Sequence, residues 1–385
     1  MLNAVFWLSL LLLIYIYVGY PLVIRLFAAF RSVQLHRDDT FRPSVTIVIA
    51  AYNEAAEIGS TLTNKLEQDY PSDLLEIMVV SDESDDGTDD IVLQMAQTSR
   101  CPMRLIRQTP RQGKTAGLNT LIPQARGEII LFSDANSQWD KQAVARLVSN
   151  FADPEVGYVT GKMVYVNEDG SLVGDGCSAY MKYENSLRES ETRLGSIVGV
   201  DGGIDAMRKD LHVRLRPDQL PDFVQPLKVV EQGYRVIYDP RALLQEHANQ
   251  DADSEFSMRV RVSLRALWAL KDMAHLMNPF RYGVFALQMI SHKLLRYVAF
   301  IPLLSLTVSS VLLAPRGGFY GLCFLGLVVF YGLGWAGRIN EGKGRNLPLF
   351  YSVPYYFLLL NIASSRALWA FLKGEKRVVW NPRRG

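Results

Sequence analysis

Four stretches of the chain carry no charged residue: 2–24, 297–315, 317–337 and 346–365. Each is long enough, or nearly so, for a helix to cross a hydrocarbon layer of roughly 30 Å. Most of the charge lies between the first and second stretches, about residues 32–293, and the pattern there is different. SVTIVIA (44–50) is a continuous apolar run, and the AYNEAAEIGSTLTNKLEQ that follows takes a helical period, with Ile58, Leu62 and Leu66 four apart. EIMVV (76–80) leads through SDESDDGTDD into a helix from about 89 to 98. MRLIR (103–107) is a third strand. RQGKTAGLNTLIPQA (111–125) opens with glycine and continues as a helix, and EIILF (128–132) is the fourth strand.

Strands of unbroken apolar character, separated by helices, predict a parallel sheet covered on both faces, an α/β fold. In such sheets the ligand lies beyond the carboxyl ends of the strands. YNE, SDESDD, GKTAGLN and SDAN all follow strands or begin helices, so the polar motifs collect at that edge.

The rest of the charged block is less regular. VGYVTGKMVYV (156–166) predicts a bent strand or a strand pair, and IVGVDGGIDAMRKD (197–210) approaches a Gly-Gly turn and leaves it extended. RPDQLPDFVQPLKVVEQGYRVIYDP (216–240) reads as a polar loop, a helix and a strand. SMRVRVSLRALWALKDMAH (257–275) is amphipathic, with Val260, Leu264 and Trp268 on one side and Arg261 and Arg265 one step round. A basic helix with tryptophan suits a membrane surface; its alternative is an ordinary packed helix.

Composition changes this picture in a few places. The hydrophobic share, 49%, is ordinary; its clustering into four runs is not. The first run lacks a basic leader and a small-x-small cleavage site, and Arg25 and Arg31 stand just after it. We read 5–24 as an anchor with its N-terminus outside and the charged block in the cytoplasm. Three further spans would put the tail KGEKRVVWNPRRG outside, although its five basic residues against one acid prefer the inside. Pro348 and Pro354 also suit a broken element in the fourth run. Three scattered cysteines give no sign of a disulfide framework or a thiolate cluster, and five histidines with no paired spacing argue against a histidine-bound zinc. A net charge of +2 gives no reason to expect nucleic acid.

The expected organisation is an anchor over 1–30, a cytoplasmic domain over 40–255 and amphipathic interfacial helices over 256–293. About three membrane segments over 294–372 and a basic tail over 373–385 complete it.

Candidate chemistry follows from the strand ends. Asp134 and Asn136 fall on one side of an extended backbone, with Ala135 facing away. Two such oxygen donors suit Mg²⁺ or Mn²⁺ shared with phosphate oxygens; an Asx-turn is the plain alternative. Asp82 is placed to accept hydrogen bonds from a base or ribose, while Asp85 and Asp86 read as turn residues. Asn53 and Glu54 stand opposite or cap the next helix. Lys114, at a glycine-led helix start, suits a polyanion, and its alternative is a solvent lysine. Gln108 stands where a Walker A glycine is needed. A transfer between oxygens needs a base: Asp222 is the candidate, with Asp218 and Asp201 as rivals.

Taken in order, SVTIVIAAYNE, VVSDESDDGT, GKTAGLN, LFSDANS, DGGIDAMR and LPDFVQPLKVVEQGYRVIYDP resemble family 2 glycosyltransferases, especially the membrane-bound bacterial enzymes that make exopolysaccharide, chitin oligosaccharide or hyaluronan. The resemblance covers roughly residues 42–270. It implies a GT-A fold, a nucleotide-diphosphate sugar donor (a UDP-sugar is favoured), a divalent metal, and inversion at the anomeric carbon. It implies donor contacts from Tyr52, Asn53, Glu54, Asp82, Lys114 and Asp134, metal ligation by Asp134 and Asn136, and Asp222 as general base. Gly202 and Gly203 match the acceptor-side glycine motif, where a sugar ring can approach the backbone. Two departures stand out: Asp-Ala-Asn replaces DxD, and Met258-Arg259-Val260-Arg261-Val262 is the nearest match to the QxxRW of processive synthases. Arg261 remains a candidate for the donor diphosphate. The resulting expectation is single sugar addition to a lipid-linked or membrane-borne glycan at the bacterial inner membrane, alongside other polysaccharide assembly proteins. The alternatives are a processive synthase coupled to export and a non-catalytic scaffold.

Overall fold

A computed structural model of the chain describes residues 1–166, 172–247, 252–340 and 349–376. The tail from 377 and Pro348 lie outside the described residues. The chain divides into two compact units. A helical unit comprises Met1–Phe30, Tyr165–Leu187 and His247–Glu375; a sheet unit comprises Arg31–Val164, Arg188–Glu246 and Lys376–Gly385.

The sheet unit is built on eight strands: β1 (Val45–Ala51), β2 (Leu75–Ser81), β3 (Met103–Arg107), β4 (Ile129–Asp134), β5 (Gln138–Trp139), β6 (Val156–Val166), β7 (Asp205–Arg208) and β8 (Arg235–His247). Their order is β3-β2-β1-β4-β7-β6-β8-β5. β3, β2, β1 and β4 run parallel, whereas β7 is antiparallel to both β4 and β6. Every residue of β1 and β2 is buried, as expected for strands covered on both faces. Val48, Met78, Val80, Ile130 and Phe132 pack with Leu118, Tyr158 and Met207 in one core. Each such side chain contributes roughly 1.5–3 kcal/mol by leaving water.

Register sets the position of the site. Ala51 pairs with Ser81, and Ala50 pairs with Asp134, so β1, β2 and β4 end at nearly one level. β7 begins at Asp205, which faces Phe132 near the end of β4. The loops carrying Tyr52, Asp82, Asp134 and Gly203 therefore leave the sheet along one rim.

The helical unit departs from the expected boundaries in two ways. Tyr165–Leu187 belongs to it, although the sequence placed these residues in the cytoplasmic domain. They carry most of the helix Leu172–Arg193, in which Cys177 packs among Tyr355, Tyr356 and Leu359. The helix Ala252–Asp272, expected at a membrane surface, buries Leu264 and Leu267 against Ala367 and Ala370 of the helix Leu349–Leu372. Two alanines let the backbones approach, and Trp268 sits 4.6 Å from Phe371. Protein, then, covers that apolar side.

Leu2–Phe30 and Gly318–Asn340 are long and apolar enough to cross a membrane. Pro279–Tyr297 and Phe300–Arg316 reach that standard as a pair bent by 57°. Leu349–Leu372 has the length but carries Asn361 and Arg366, and is not among the helices of spanning character. Phe6 of the first helix is fully buried beside Leu306 and Leu313.

Candidate active site

The rim of the parallel strands is organised by carboxylates. Asp82, 2% exposed, accepts the backbone N–H of Gln112 at 2.8 Å and that of Gly113 at 3.0 and 3.1 Å. It also receives the Gln108 amide and, at 3.2 Å, the Arg111 guanidinium. All these partners come from the loop that leads to the helix Lys114–Leu121. Gly113 takes φ +89° at the helix start, where a side chain would be strained and where its N–H must reach Asp82. The first job of Asp82 is therefore to hold this loop against the sheet.

A second clamp joins the first two strand ends. Asn53, at φ +53°, donates its side-chain amide to Asp85 at 2.8 Å and accepts the Asp85 N–H at 3.0 Å. The Glu54 N–H donates to Thr88 Oγ1 and the Ala55 N–H to Asp86, both at 2.9 Å. Burial pushes the Asp86 carboxyl up, but hydrogen bonds from Thr88 and Ala55 outweigh it and hold the group below its usual range. Asp85 and Asp86, read from sequence as turn residues, are half of this clamp. Tyr52, beside it, carries the Arg111 guanidinium 3.4 Å above its ring centre.

Lys114 lies at the centre. Its ammonium is 2.8 Å from Asp134 Oδ1 and 3.4 Å from Asp222. Burial opposes its charge, but the two carboxylates more than compensate and raise its pKa. Side-chain exposures of 44% for Asp134 and 27% for Asp222 leave both open to a ligand. Asp222 occupies the first turn of the helix Pro221–Glu231. Its rivals are engaged elsewhere: Asp201 is buried against Arg188 at 2.6 Å, and Asp218 bonds Arg216 and Lys376.

The two glycines close the floor. A Cβ on Gly202, which has φ +84°, would stand 2.7 Å from the Asp222 carboxyl carbon. One on Gly203 would meet Leu244 at 2.8 Å and Asp134 Oδ2 at 3.5 Å. Only bare backbone fits beside these carboxylates.

Ala135 is buried while Asp134 and Asn136 are part-exposed, but Ala135 and Asn136 form a turn instead of continuing the extended strand. As a cation site the pair supplies one carboxylate and one amide oxygen. Among the described residues no three His, Cys, Asp or Glu side chains gather around a common point. This donor set fits a hard divalent ion that takes its remaining ligands from phosphate and water. That Asp134 already draws an ammonium to 2.8 Å shows its taste for a cation.

Arg261 lies on the helix Ala252–Asp272, in the helical unit, and is half-buried.

Sequence reasoning missed three contributors. Asp205 is fully buried, accepts hydrogen bonds from Tyr158 at 2.9 Å, from Thr160 and from the Gly202 N–H at 3.1 Å, and so shapes the glycine turn. Burial, reinforced by Asp222 and Asp201 and offset by the Thr160 and Tyr158 hydrogen bonds, pushes its carboxyl up to about 7. Lys65, also fully buried, donates to Ser137 O at 2.7 Å beneath the Asp134 turn, with its ammonium 4.1 Å from the Trp139 ring centre. Burial lowers its pKa, against the pull of Asp134. Arg111 is the third, and its RQGK context was the only hint available.

Comparison with known proteins gives these positions a context. Residues 46–216 match the profile of "Glycosyl transferase family 2". The probable glycosyltransferase YdaM of Bacillus subtilis is 34% identical over 134 residues, 34% of this chain and 32% of that protein. The poly-beta-1,6-N-acetyl-D-glucosamine synthase of Staphylococcus aureus is 25% identical over 255 residues, 63% of this chain and 60% of that one. The matches thus span between a third and three-fifths of these relatives' lengths. Among solved structures, the mannosyltransferase PcManGT from Pyrobaculum calidifontis, in complex with GDP-Man and Mn²⁺, superposes with a TM-score of 0.72. It is 24% identical, and the match covers 96% of this chain and 99% of that one. The likeness shows the fold, a GT-A-like α/β domain with helices before and after it in the chain.

Proposed function

We propose that the chain, whose residues 46–216 match the profile of family 2 glycosyltransferases, is a membrane-bound glycosyltransferase of that family and transfers a sugar, with inversion, from a nucleotide-diphosphate sugar to a lipid-linked or membrane-borne glycan. The catalytic domain faces the cytoplasm, where activated sugars are made. The observation that carries the reading is the Lys114 ammonium set between Asp134 and Asp222, over a floor of two glycines.

In this reading Asp222 accepts the proton of the attacking hydroxyl as its oxygen bonds the anomeric carbon, and the bond from that carbon to the diphosphate breaks. A hydroxyl is too weak an acid to attack well without that transfer. Lys114 and the helix start behind it stabilise negative charge on the departing diphosphate. Asp134 and Asn136 would hold Mg²⁺ or Mn²⁺, which neutralises the diphosphate and makes it a better leaving group. Tyr52 offers its ring face to the nucleobase, in the place Arg111 takes here. Asp82 fixes the loop under the diphosphate, and Asn53 and Glu54 hold the opposite wall. Gly202 and Gly203 admit the acceptor sugar beside Asp222. Arg261 is a further donor contact, which Arg261→Gln tests as a loss of donor affinity.

Similarity to a poly-N-acetylglucosamine synthase favours a second reading, a processive synthase coupled to export. Met258-Arg259-Val260-Arg261-Val262, in place of QxxRW, favours single addition. One assay separates them: purified protein with UDP-, GDP- and dTDP-sugars, Mg²⁺ or Mn²⁺, and membrane lipid extract. The expected result is one donor consumed and one sugar added to lipid. A ladder of long products supports the synthase, and folded protein that binds no donor overturns both.

A further inference from the structure

We propose that Asp205 is a positioning residue for the transfer step: by holding the Gly202 N–H it fixes the bare backbone against which the Asp222 carboxylate stands. The proposal deepens the functional reading, and rests on it, by naming the residue that sets the acceptor side of the site.

The contacts form a short chain within the sheet unit. Asp205 opens β7 and is fully buried. Its Oδ2 accepts the Gly202 N–H at 3.1 Å and the Tyr158 hydroxyl at 2.9 Å, and its Oδ1 accepts the Thr160 hydroxyl. Thr160 Oγ1 in turn accepts the Asp201 N–H at 3.3 Å. Tyr158 and Thr160 lie on β6, where Thr160 pairs with Asp205 itself. One carboxylate thus ties two successive peptide N–H groups of the glycine turn to the sheet, one directly and one through a hydroxyl.

Nothing in the packing of β7 calls for a charge at this place. Among the described residues no cation bonds Asp205; its partners are two hydroxyls and one peptide N–H. A buried carboxylate held by neutral donors is costly, and an apolar side chain would fill the start of β7 without that cost. What the carboxylate adds is a fixed turn. Two glycines in a row have more backbone freedom than any other pair, yet here they must lie still. A Cβ on Gly202 would stand 2.7 Å from the Asp222 carboxyl carbon, so no side chain fits between backbone and base. The far end of the pair has its own staple, the Trp139 indole N–H donating to the Gly203 carbonyl at 2.8 Å. A shift of about 1 Å in such a wall can cost about 10²-fold in rate.

Three variants separate this role from a merely structural one. Asp205→Asn keeps a carbonyl oxygen for the Gly202 N–H and the Tyr158 hydroxyl, while its amide donates to Thr160 Oγ1, which has a second lone pair. Asp205→Ala removes the acceptor altogether. Thr160→Val keeps Asp205 but takes the acceptor from the Asp201 N–H, and it serves where Asp205→Ala does not fold.

The test uses the full chain in detergent, the nucleotide sugar that the wild type consumes among UDP-, GDP- and dTDP-sugars, and membrane lipid extract as acceptor. The kcat for transfer should fall about 10²-fold in Asp205→Ala. It should fall about tenfold in Thr160→Val and stay within about threefold of wild type in Asp205→Asn. Donor affinity, measured by calorimetry, should stay within about twofold in all three, because the proposed donor contacts lie on other loops. Hydrogen exchange at Gly202 should quicken in Asp205→Ala and hold in Asp205→Asn. Wild-type kcat in folded Asp205→Ala or in Thr160→Val, an Asp205→Asn as slow as Asp205→Ala, or donor affinity falling in step with kcat overturns the proposal. If the wild type consumes no donor, the functional reading fails by itself. Exchange at Gly202 then decides whether Asp205 holds the turn, and an unchanged rate in Asp205→Ala, or in Thr160→Val at Asp201, overturns that too.

Discussion

The two units hold their polar side chains by opposite means. In the sheet unit, carboxylates at strand ends accept hydrogen bonds from the backbone of neighbouring loops, as Asp82 does from Gln112 and Gly113. Asp134 and Asp222 are then left partly exposed and facing one lysine. In the helical unit the charges are side chain against side chain and shut away, as with Glu184 beneath His292, Lys293 and Arg296. The first arrangement fixes a surface and leaves reactive oxygens open. The second fixes an interior by gathering three cationic or ionisable side chains on one buried carboxylate.

The contrast can be broken from the catalytic side first. Asp222→Asn should lower the transfer rate by about 10²–10⁴-fold with donor affinity nearly unchanged, because the amide keeps the shape but takes no proton; steady-state transfer and calorimetry together read this. Next in size, Lys114→Met removes the cation shared by two carboxylates and should weaken donor binding by about 10- to 100-fold, measured by calorimetry. Asp82→Asn leaves the Gln112 and Gly113 N–H groups a weaker acceptor, with an expected loss of about 1–3 kcal/mol in urea denaturation and a parallel fall in donor affinity.

Two smaller effects carry opposite signs with pH. Asp205, raised in the fold to about 7 from an ordinary 3.8, binds its proton more tightly when folded than unfolded. Its contribution to stability is therefore full below the unfolded value and lost as pH rises towards 7. Melting curves from pH 4 to 8 should fall across that window in the wild type and flatten in Asp205→Asn. Asp86 is lowered in the fold, so its contribution is present at neutral pH and disappears as pH drops through the carboxylate range. Asp86→Asn should give the smallest shift, visible at pH 7 and absent in acid.

How much of this was legible beforehand follows the same division. The strands expected at 44–50, 76–80, 103–107 and 128–132 are β1 to β4 within two residues at any end, because buried parallel strands write themselves as apolar runs. Strand ends predict where polar motifs gather, so Asp82, Lys114 and Asp134 could be expected at one rim without coordinates, whereas Asp222, in a loop before a helix, had Asp218 and Asp201 as rivals and was singled out by the family resemblance. Asp205 could not: it stands alone in GGID, and only the fold shows that it lies beneath Gly202. Lys65 looked like one more helix charge. The helix Leu172–Arg193 escaped notice because charges on several of its sides blur any apolar stripe. Glu184 finds His292 and Arg296 at separations of 108 and 112 residues, with no local pattern to announce the pairing. Local periodicity reports elements and their ends, and it is silent on which distant side chains a helix bundle brings together.

The central claim is a single displacement at the anomeric carbon with Asp222 as base, and the most direct measurement is the anomeric configuration of the first product by proton NMR, using the donor that the purified chain consumes. A configuration opposite to that of the donor, formed by the wild type and lost in Asp222→Asn, is the predicted result. Retained configuration, or an inverted product that Asp222→Asn forms at the wild-type rate, would contradict it.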